Sequence, residues 1–148
     1  KADVEEQQRL KKLITEYKIK NHVKLIGFID EAEISDHFLL SDIFVMPSKK
    51  EGFGIVFIEA MASGLKVIAG NKDGSVDALN NGKLGKLVDP DDLNQVENAL
   101  SELLDSPFNN EEKIALQKRV FQTFNYQDYR NNLKNLILSG SVFKNPHE

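Results

Sequence analysis

The chain has 148 residues, about two-fifths of them hydrophobic, and a formal charge of −4, with a pI near 5.4. That balance excludes a surface built to neutralise nucleic-acid phosphates, which needs clustered Lys and Arg in excess, so no nucleic-acid partner is expected. The absence of cysteine excludes disulfides, thiolate catalysis and cysteine-ligated zinc. No apolar run reaches the roughly 18 to 20 residues of a membrane-spanning helix, and the first residues lack the apolar stretch of a signal peptide. A soluble chain with one core over residues 1–148 is the expectation.

Residues 4–17 read as an amphipathic helix, with Leu10, Leu13, Ile14 and Tyr17 at spacings of three and four. Residues 22–28 hold Val23, Leu25 and Ile26 and predict a short strand that stops at Gly27. Asp30 is placed to cap a helix over residues 31–40, with Ile34, Phe38 and Leu39 inward. A second strand is expected over residues 42–46, then a glycine-bearing loop and a helix over 55–63 closed by Gly64. Strands over 65–69 and 84–88 follow, separated by a short helix over 75–79. A helix to Leu104 should turn Leu93, Val96, Leu100 and Leu103 inward, and two more helices are expected over 110–124 and 126–138. Short apolar strands alternating with helices imply an α/β fold, a doubly wound, Rossmann-like parallel sheet covered on both faces.

The segment from Ile43 to Ala69 carries the chemistry. A buried strand feeds Lys49-Lys50-Glu51-Gly52-Phe53-Gly54, which feeds a helix N-terminus, the arrangement in which unpaired amides and the helix dipole favour an anion. Glycine at 52 and 54 would let backbone amides from Phe53 to Val56 approach a diphosphate. The dinucleotide fingerprint fails, since its third glycine would fall at Phe57, and no P-loop pattern is present. Glu59 is the one charge between Ile55 and Ala62, so burial on nearly all sides is expected for this helix. A buried carboxylate must be satisfied, either by backbone amides or protonation, or by hydroxyls of a ligand such as a ribose.

Glu51, seven residues and Glu59, set in Pro47-Ser48-x-x-Glu51-Gly52-Phe53-Gly54 and followed by Ala60-Met61-Ala62 and Gly64, closely resembles the signature of the family 4 retaining glycosyltransferases. Gly27-Phe28 and Gly82-x-x-Gly85 fall where that family places them, so the resemblance runs over residues 11–104. It implies the C-terminal, donor-binding half of a GT-B glycosyltransferase that takes a nucleotide diphosphate sugar and transfers the sugar, with retained configuration, to an acceptor hydroxyl in polysaccharide or glycoconjugate synthesis. By the same resemblance Glu59 binds ribose hydroxyls and Glu51, the candidate catalytic residue, lies near the donor sugar. Amides of Phe53 and Gly54 meet the sugar, those of Ile55 and Val56 meet the phosphates, backbone around Phe28 and Ile29 meets the base, and Gly27 and Gly52 belong to the same donor-binding set. No cofactor and no metal on the diphosphate are implied. The chain is expected to be a cytoplasmic fragment, without the first strand and the N-terminal acceptor domain that would be its partner, and with peripheral membrane contact left to those missing regions.

Two segments depart from the family pattern. Gly64-Leu65-Lys66-Val67 stands where Gly-Leu-Pro-Val is usual, and Asp73-Gly74-Ser75-Val76-Asp77 stands for Gly-Gly-x-x-Glu. Asp73 would bring a negative charge near the diphosphate, so either its loop is displaced or the phosphates lie farther off. His22, His37 and His147 occupy unremarkable positions, and Lys49 and Lys50 read either as a solvated pair or as help in neutralising phosphate. A non-catalytic binding or regulatory α/β module is the alternative. Of such modules, response-regulator receivers need an acidic cluster that Asp30, Asp42 and Asp73 do not assemble. Tyr129, Leu133, Leu136 and Ile137 are expected to pack in a core or to form a docking face.

Overall fold

A computed structural model of the chain describes residues 4–138, and the side chains of Tyr129, Leu133, Leu136 and Ile137, like the whole of His147, lie outside the described residues. The chain forms two compact units, Lys1–Ile34 and Ser35–Glu148.

In the first unit, helix α1 (Val4–Glu16) half-buries Leu10, Leu13 and Ile14, the stripe that the 3.6-residue period requires. The helix ends where Lys18 takes φ 57°, with the Ile19 amide bonded to the Ile14 carbonyl and the Lys18 amide to the Thr15 carbonyl. That is a left-handed cap in which lysine fills the place glycine usually takes. The expected strand over residues 22–28 does not form: the segment has no ladder partner among the described residues. An apolar, β-branched run satisfies its backbone as a strand only when a neighbour supplies the hydrogen bonds. Phe28 is 94% exposed. Asp30 accepts the Ala32 amide at 3.1 Å and caps a single 3₁₀ turn, Glu31–Glu33, that runs into helix α2 (Ile34–Leu39).

The second unit holds the sheet, whose strands β1 (Ile43–Met46), β2 (Lys66–Gly70) and β3 (Lys86–Val88) are parallel and lie in chain order. Ile43 pairs with Lys66 and Ile68 with Lys86. Helix α3 (Ile55–Ala62) connects the first two strands and helix α4 (Ser75–Ala78) the next two; they touch each other and β2. After β3 comes helix α5 (Leu93–Asp105), whose Ala99, Val96, Leu100 and Leu103 pack with Ile68 and Val88. Successive β2 residues point to opposite faces and all five are buried, so the sheet is covered on both sides. Helix α6 (Asn110–Thr123), started by a capping box between Asn109 and Glu112, lays Leu116 and Val120 inward and packs on α3; helix α7 (Tyr126–Leu138) follows.

The rings of Phe38, Phe44 and Phe57 meet edge to face, at centroid distances of 5.6 and 5.9 Å, and join α2, β1 and α3 into one core. Leu39 and Leu93, expected inward, are 70% and 81% exposed. Each sits at an end of its helix, where the apolar stripe has already turned away from the sheet.

Candidate functional site

The loop between β1 and α3 lies beyond the carboxyl end of the parallel strands, the place where α/β sheets bind ligands. Gly54 begins α3 with φ 82°, and a Cβ there would stand 2.4 Å from the Phe57 ring and 3.0 Å from Glu51 Cγ. Only glycine can make this turn with Phe57 buried beneath it. Gly52 differs, because its φ is ordinary and a Cβ would meet nothing within 4 Å.

Four consecutive backbone amides, those of Phe53, Gly54, Ile55 and Val56, donate to no acceptor among the described residues. The first turn of any helix leaves such donors, and the dipole gives them partial positive charge. The Glu51 side chain folds back toward them, its Oε1 accepting the Gly52 amide at 3.1 Å. Phe53 is held from one side by an edge-to-face contact of 6.1 Å with Phe124.

Glu59 corrects an expectation: it is exposed, as is Ile55 one turn earlier, which is 66% exposed. Phe57, Ala60 and Met61 face the core instead. A helix that is apolar at nearly every position need not be buried at every position; α3 shows one open face, and Glu59 shares it with Ile55. No hydrogen bond within the described residues engages the Glu59 carboxylate.

Asp73 ties its own loop to the one that precedes α3. Its Oδ2 accepts the Ser48 hydroxyl and the Glu51 amide, both at 2.7 Å, and its Oδ1 accepts the Ser75 amide at 3.0 Å. Burial pushes the Asp73 carboxyl upward, but the hydrogen bonds from Ser75, Ser48 and the Glu51 amide outweigh it and hold the pKa well below the usual carboxylate range. The two loops also meet backbone to backbone. The Gly74 amide donates to the Glu51 carbonyl at 3.0 Å, a Cβ on Gly74 would stand 2.0 Å from the Gly52 carbonyl oxygen, and one on Gly70 would stand 2.1 Å from that of Ser48.

Lys49 is salt-bridged to Asp91, and Lys72 bridges Asp89 at 2.6 Å and Asp91 at 3.0 Å. The two aspartates hold the Lys72 ammonium above its ordinary pKa, Asp89 most strongly. Lysines from two loops at this end of the sheet are thus already paired with carboxylates from a third. Lys50 is exposed.

At the opposite end of the sheet Lys66 is 7% exposed, its Nζ donating to the Leu103 carbonyl at 3.2 Å and to that of Ser106, with the Phe108 ring centroid at 4.5 Å. It thereby caps the carboxyl end of α5. A cavity of about 400 Å³ lined by Lys66, Gly85, Lys86, Glu102 and Phe108 opens there, away from the loop described above.

Comparison with known proteins decides the family. The family of glycosyl transferases group 1 matches residues 3–121. The chain belongs to that family. A group 1 relative, the GDP-mannose-dependent alpha-(1-6)-phosphatidylinositol monomannoside mannosyltransferase of Mycobacterium tuberculosis (strain CDC 1551 / Oshkosh), is 36% identical over 104 residues, which cover 66% of this chain and 27% of that protein. This chain therefore spans about a quarter of that relative's length. Among solved structures, sucrose-phosphate synthase from Thermosynechococcus elongatus superposes with a TM-score of 0.74 at 29% identity, over 96% of this chain and 36% of that one. The C-terminal domain of a glycosyl transferase group 1 family protein from Francisella tularensis superposes with a TM-score of 0.66 at 27% identity, over 82% of this chain and 61% of that one. The parallel α/β unit is accordingly that of the C-terminal half of a GT-B glycosyltransferase.

Within this group 1 domain, Glu51, Gly52, Phe53, Gly54, Ile55, Val56 and Glu59 lie along one loop and helix of the second unit, while Gly27, Phe28 and Ile29 belong to the first. Sequence reading missed the part played by Ser48 and Asp73. The signal was present, because Ser48 stands in the signature and Asp73 was its clearest departure, but a bond across 25 residues leaves no local pattern.

Proposed function

We propose that this chain is the donor-binding part of a retaining glycosyltransferase that uses a nucleotide diphosphate sugar. The observation that supports it is the row of unpaired amides from Phe53 to Val56 at the start of α3, with Glu51 folded back over the loop and Glu59 open on the same helix. Amides at a helix N-terminus hold a diphosphate without needing side-chain cations. In this reading Ile55 and Val56 meet the phosphates, Phe53 and Gly54 meet the donor sugar, Gly52 leaves room for its approach, Glu51 lies near the transferring sugar, and the Glu59 carboxylate accepts the ribose hydroxyls. The exposure of Glu59 favours this role, since the carboxylate is open to a ligand and has no structural duty in the fold. No metal is assigned to the diphosphate. The acceptor would be supplied by the rest of the protein, in synthesis of a polysaccharide or glycoconjugate at the cytoplasmic side.

The name of the mycobacterial relative points to a guanosine diphosphate donor as the first to try. Calorimetric titration with UDP, GDP and ADP tests the reading. One of them should bind and should lose that binding on Glu59→Ala; equal indifference to all three contradicts it.

A further inference from the structure

We propose that Asp73 is a positioning residue of the donor site, an internal anion that holds the Glu51–Gly54 loop in the shape a diphosphate sugar meets. The proposal rests on the donor-binding reading given above. Three donors converge on one carboxylate: the Ser48 hydroxyl and Glu51 amide on Oδ2, both at 2.7 Å, and the Ser75 amide on Oδ1 at 3.0 Å. Ser48 and Glu51 bracket the turn that leads to the unpaired amides, so fixing both ends of this short stretch fixes where those amides point.

Two further observations make the contact a built one. Gly74 donates to the Glu51 carbonyl at 3.0 Å, so Glu51 is held at both its amide and its carbonyl. Neither Gly70 nor Gly74 has room for a Cβ, with carbonyl oxygens of Ser48 and Gly52 at 2.1 and 2.0 Å from where it would stand. Close backbone approach on either side of Asp73 therefore presses the two loops together, and the carboxylate lies at their junction. With its charge engaged by three donors, Asp73 presents less negative potential to a bound diphosphate than an open carboxylate would. The same residue that resembles an obstacle in sequence thus orders the site.

A brace of this kind acts on the phosphate and sugar end of the ligand and leaves the ribose contact at Glu59 in place. The readout is the preference for a nucleoside diphosphate over the matching monophosphate, measured by calorimetry on the 148-residue chain, together with hydrogen exchange of the Glu51 amide. Asp73→Ala and Ser48→Ala are compared with wild type, each checked for folding by thermal melting; Ser48→Ala removes one donor and spares the rest should the first variant not fold. The diphosphate preference should fall by about tenfold in Asp73→Ala, the scale of one charge-assisted hydrogen bond, and by less in Ser48→Ala. The Glu51 amide should exchange faster in Asp73→Ala. A folded variant that keeps the wild-type preference, or a Glu51 amide whose exchange is unaltered, overturns the proposal. A wild-type chain that binds no diphosphate overturns the donor reading and this proposal with it, and is told apart because that failure appears before any substitution is made.

Discussion

The Glu51 amide donates a 2.7 Å hydrogen bond to Asp73 Oδ2, joining the loop after the first strand to the loop after the second. Asp73→Asn keeps one accepting oxygen and turns an NH2 donor toward the other position, so it cannot serve the Ser48 hydroxyl and Glu51 amide together with the Ser75 amide, and should cost about 1 to 3 kcal/mol at pH 7. Folding lowers the Asp73 pKa below the ordinary value of about 3.9, so the native chain binds fewer protons than the unfolded one between the two values. The wild-type advantage is complete above about pH 5 and shrinks as the pH falls through 4 toward the folded pKa. Urea denaturation of both proteins at pH 7 and at low pH checks this, and a gap that widens on acidification contradicts it.

Gly52 and Gly54 should respond in opposite ways to alanine. At Gly54 a side chain meets both a left-handed φ of 82° and the Phe57 ring, so Gly54→Ala should destabilise the chain by about 1 to 2 kcal/mol or more. At Gly52 a methyl group enters open space, so thermal stability should hold while nucleotide diphosphate affinity falls. Melting curves and titrations of the two variants separate a glycine required by the fold from one required by a ligand.

Much of the fold was legible because its elements obey local rules. The strands at Ile43–Met46 and Lys66–Gly70 lie within a residue of where apolar runs and flanking glycines placed them. Gly64, with φ 88°, ends α3 by the expected left-handed cap, with Gly64 bonded to Met61 and Leu65 to Ala60. What was not legible depends on partners far along the chain. The run from Val23 to Phe28 has strand composition, yet a strand exists only with a neighbour. The apolar residues around Glu59 predict burial, whereas α3 buries Phe57, Ala60 and Met61 and leaves the face of Ile55 and Glu59 open. Asp73 reads in sequence as a repulsive charge, because nothing local announces that Ser48 and the Glu51 amide turn toward it.

Lys66 stands where the family signature has proline, and it supplies two things proline cannot. Its amide donates to the Asp42 carbonyl at 3.2 Å, and its ammonium caps the carbonyls of Leu103 and Ser106. Lys66→Met keeps the buried chain length and removes the charge, and should lower stability by about 1 to 2 kcal/mol without altering nucleotide binding. Chemical denaturation beside a nucleotide titration checks both halves; weakened binding at unchanged stability runs against this account.

A diphosphate held by amides should bind equally well in EDTA and in magnesium. Titration of the preferred nucleotide under the two conditions checks this, and binding that requires magnesium contradicts the assignment of the diphosphate to backbone donors.

Calorimetry of wild type beside Glu59→Ala tests the proposal that the α3 loop and Glu59 hold a nucleotide diphosphate. Lys49 and Lys72 are paired with Asp91 and Asp89, so a diphosphate at this loop would meet neutral donors, and the expected binding is no tighter than about 0.1 mM, near −5.5 kcal/mol. Because Glu59 is exposed, Glu59→Ala should leave stability within about 0.5 kcal/mol of wild type while abolishing measurable binding. A Glu59→Ala chain that binds UDP, GDP or ADP as well as wild type does would contradict the account.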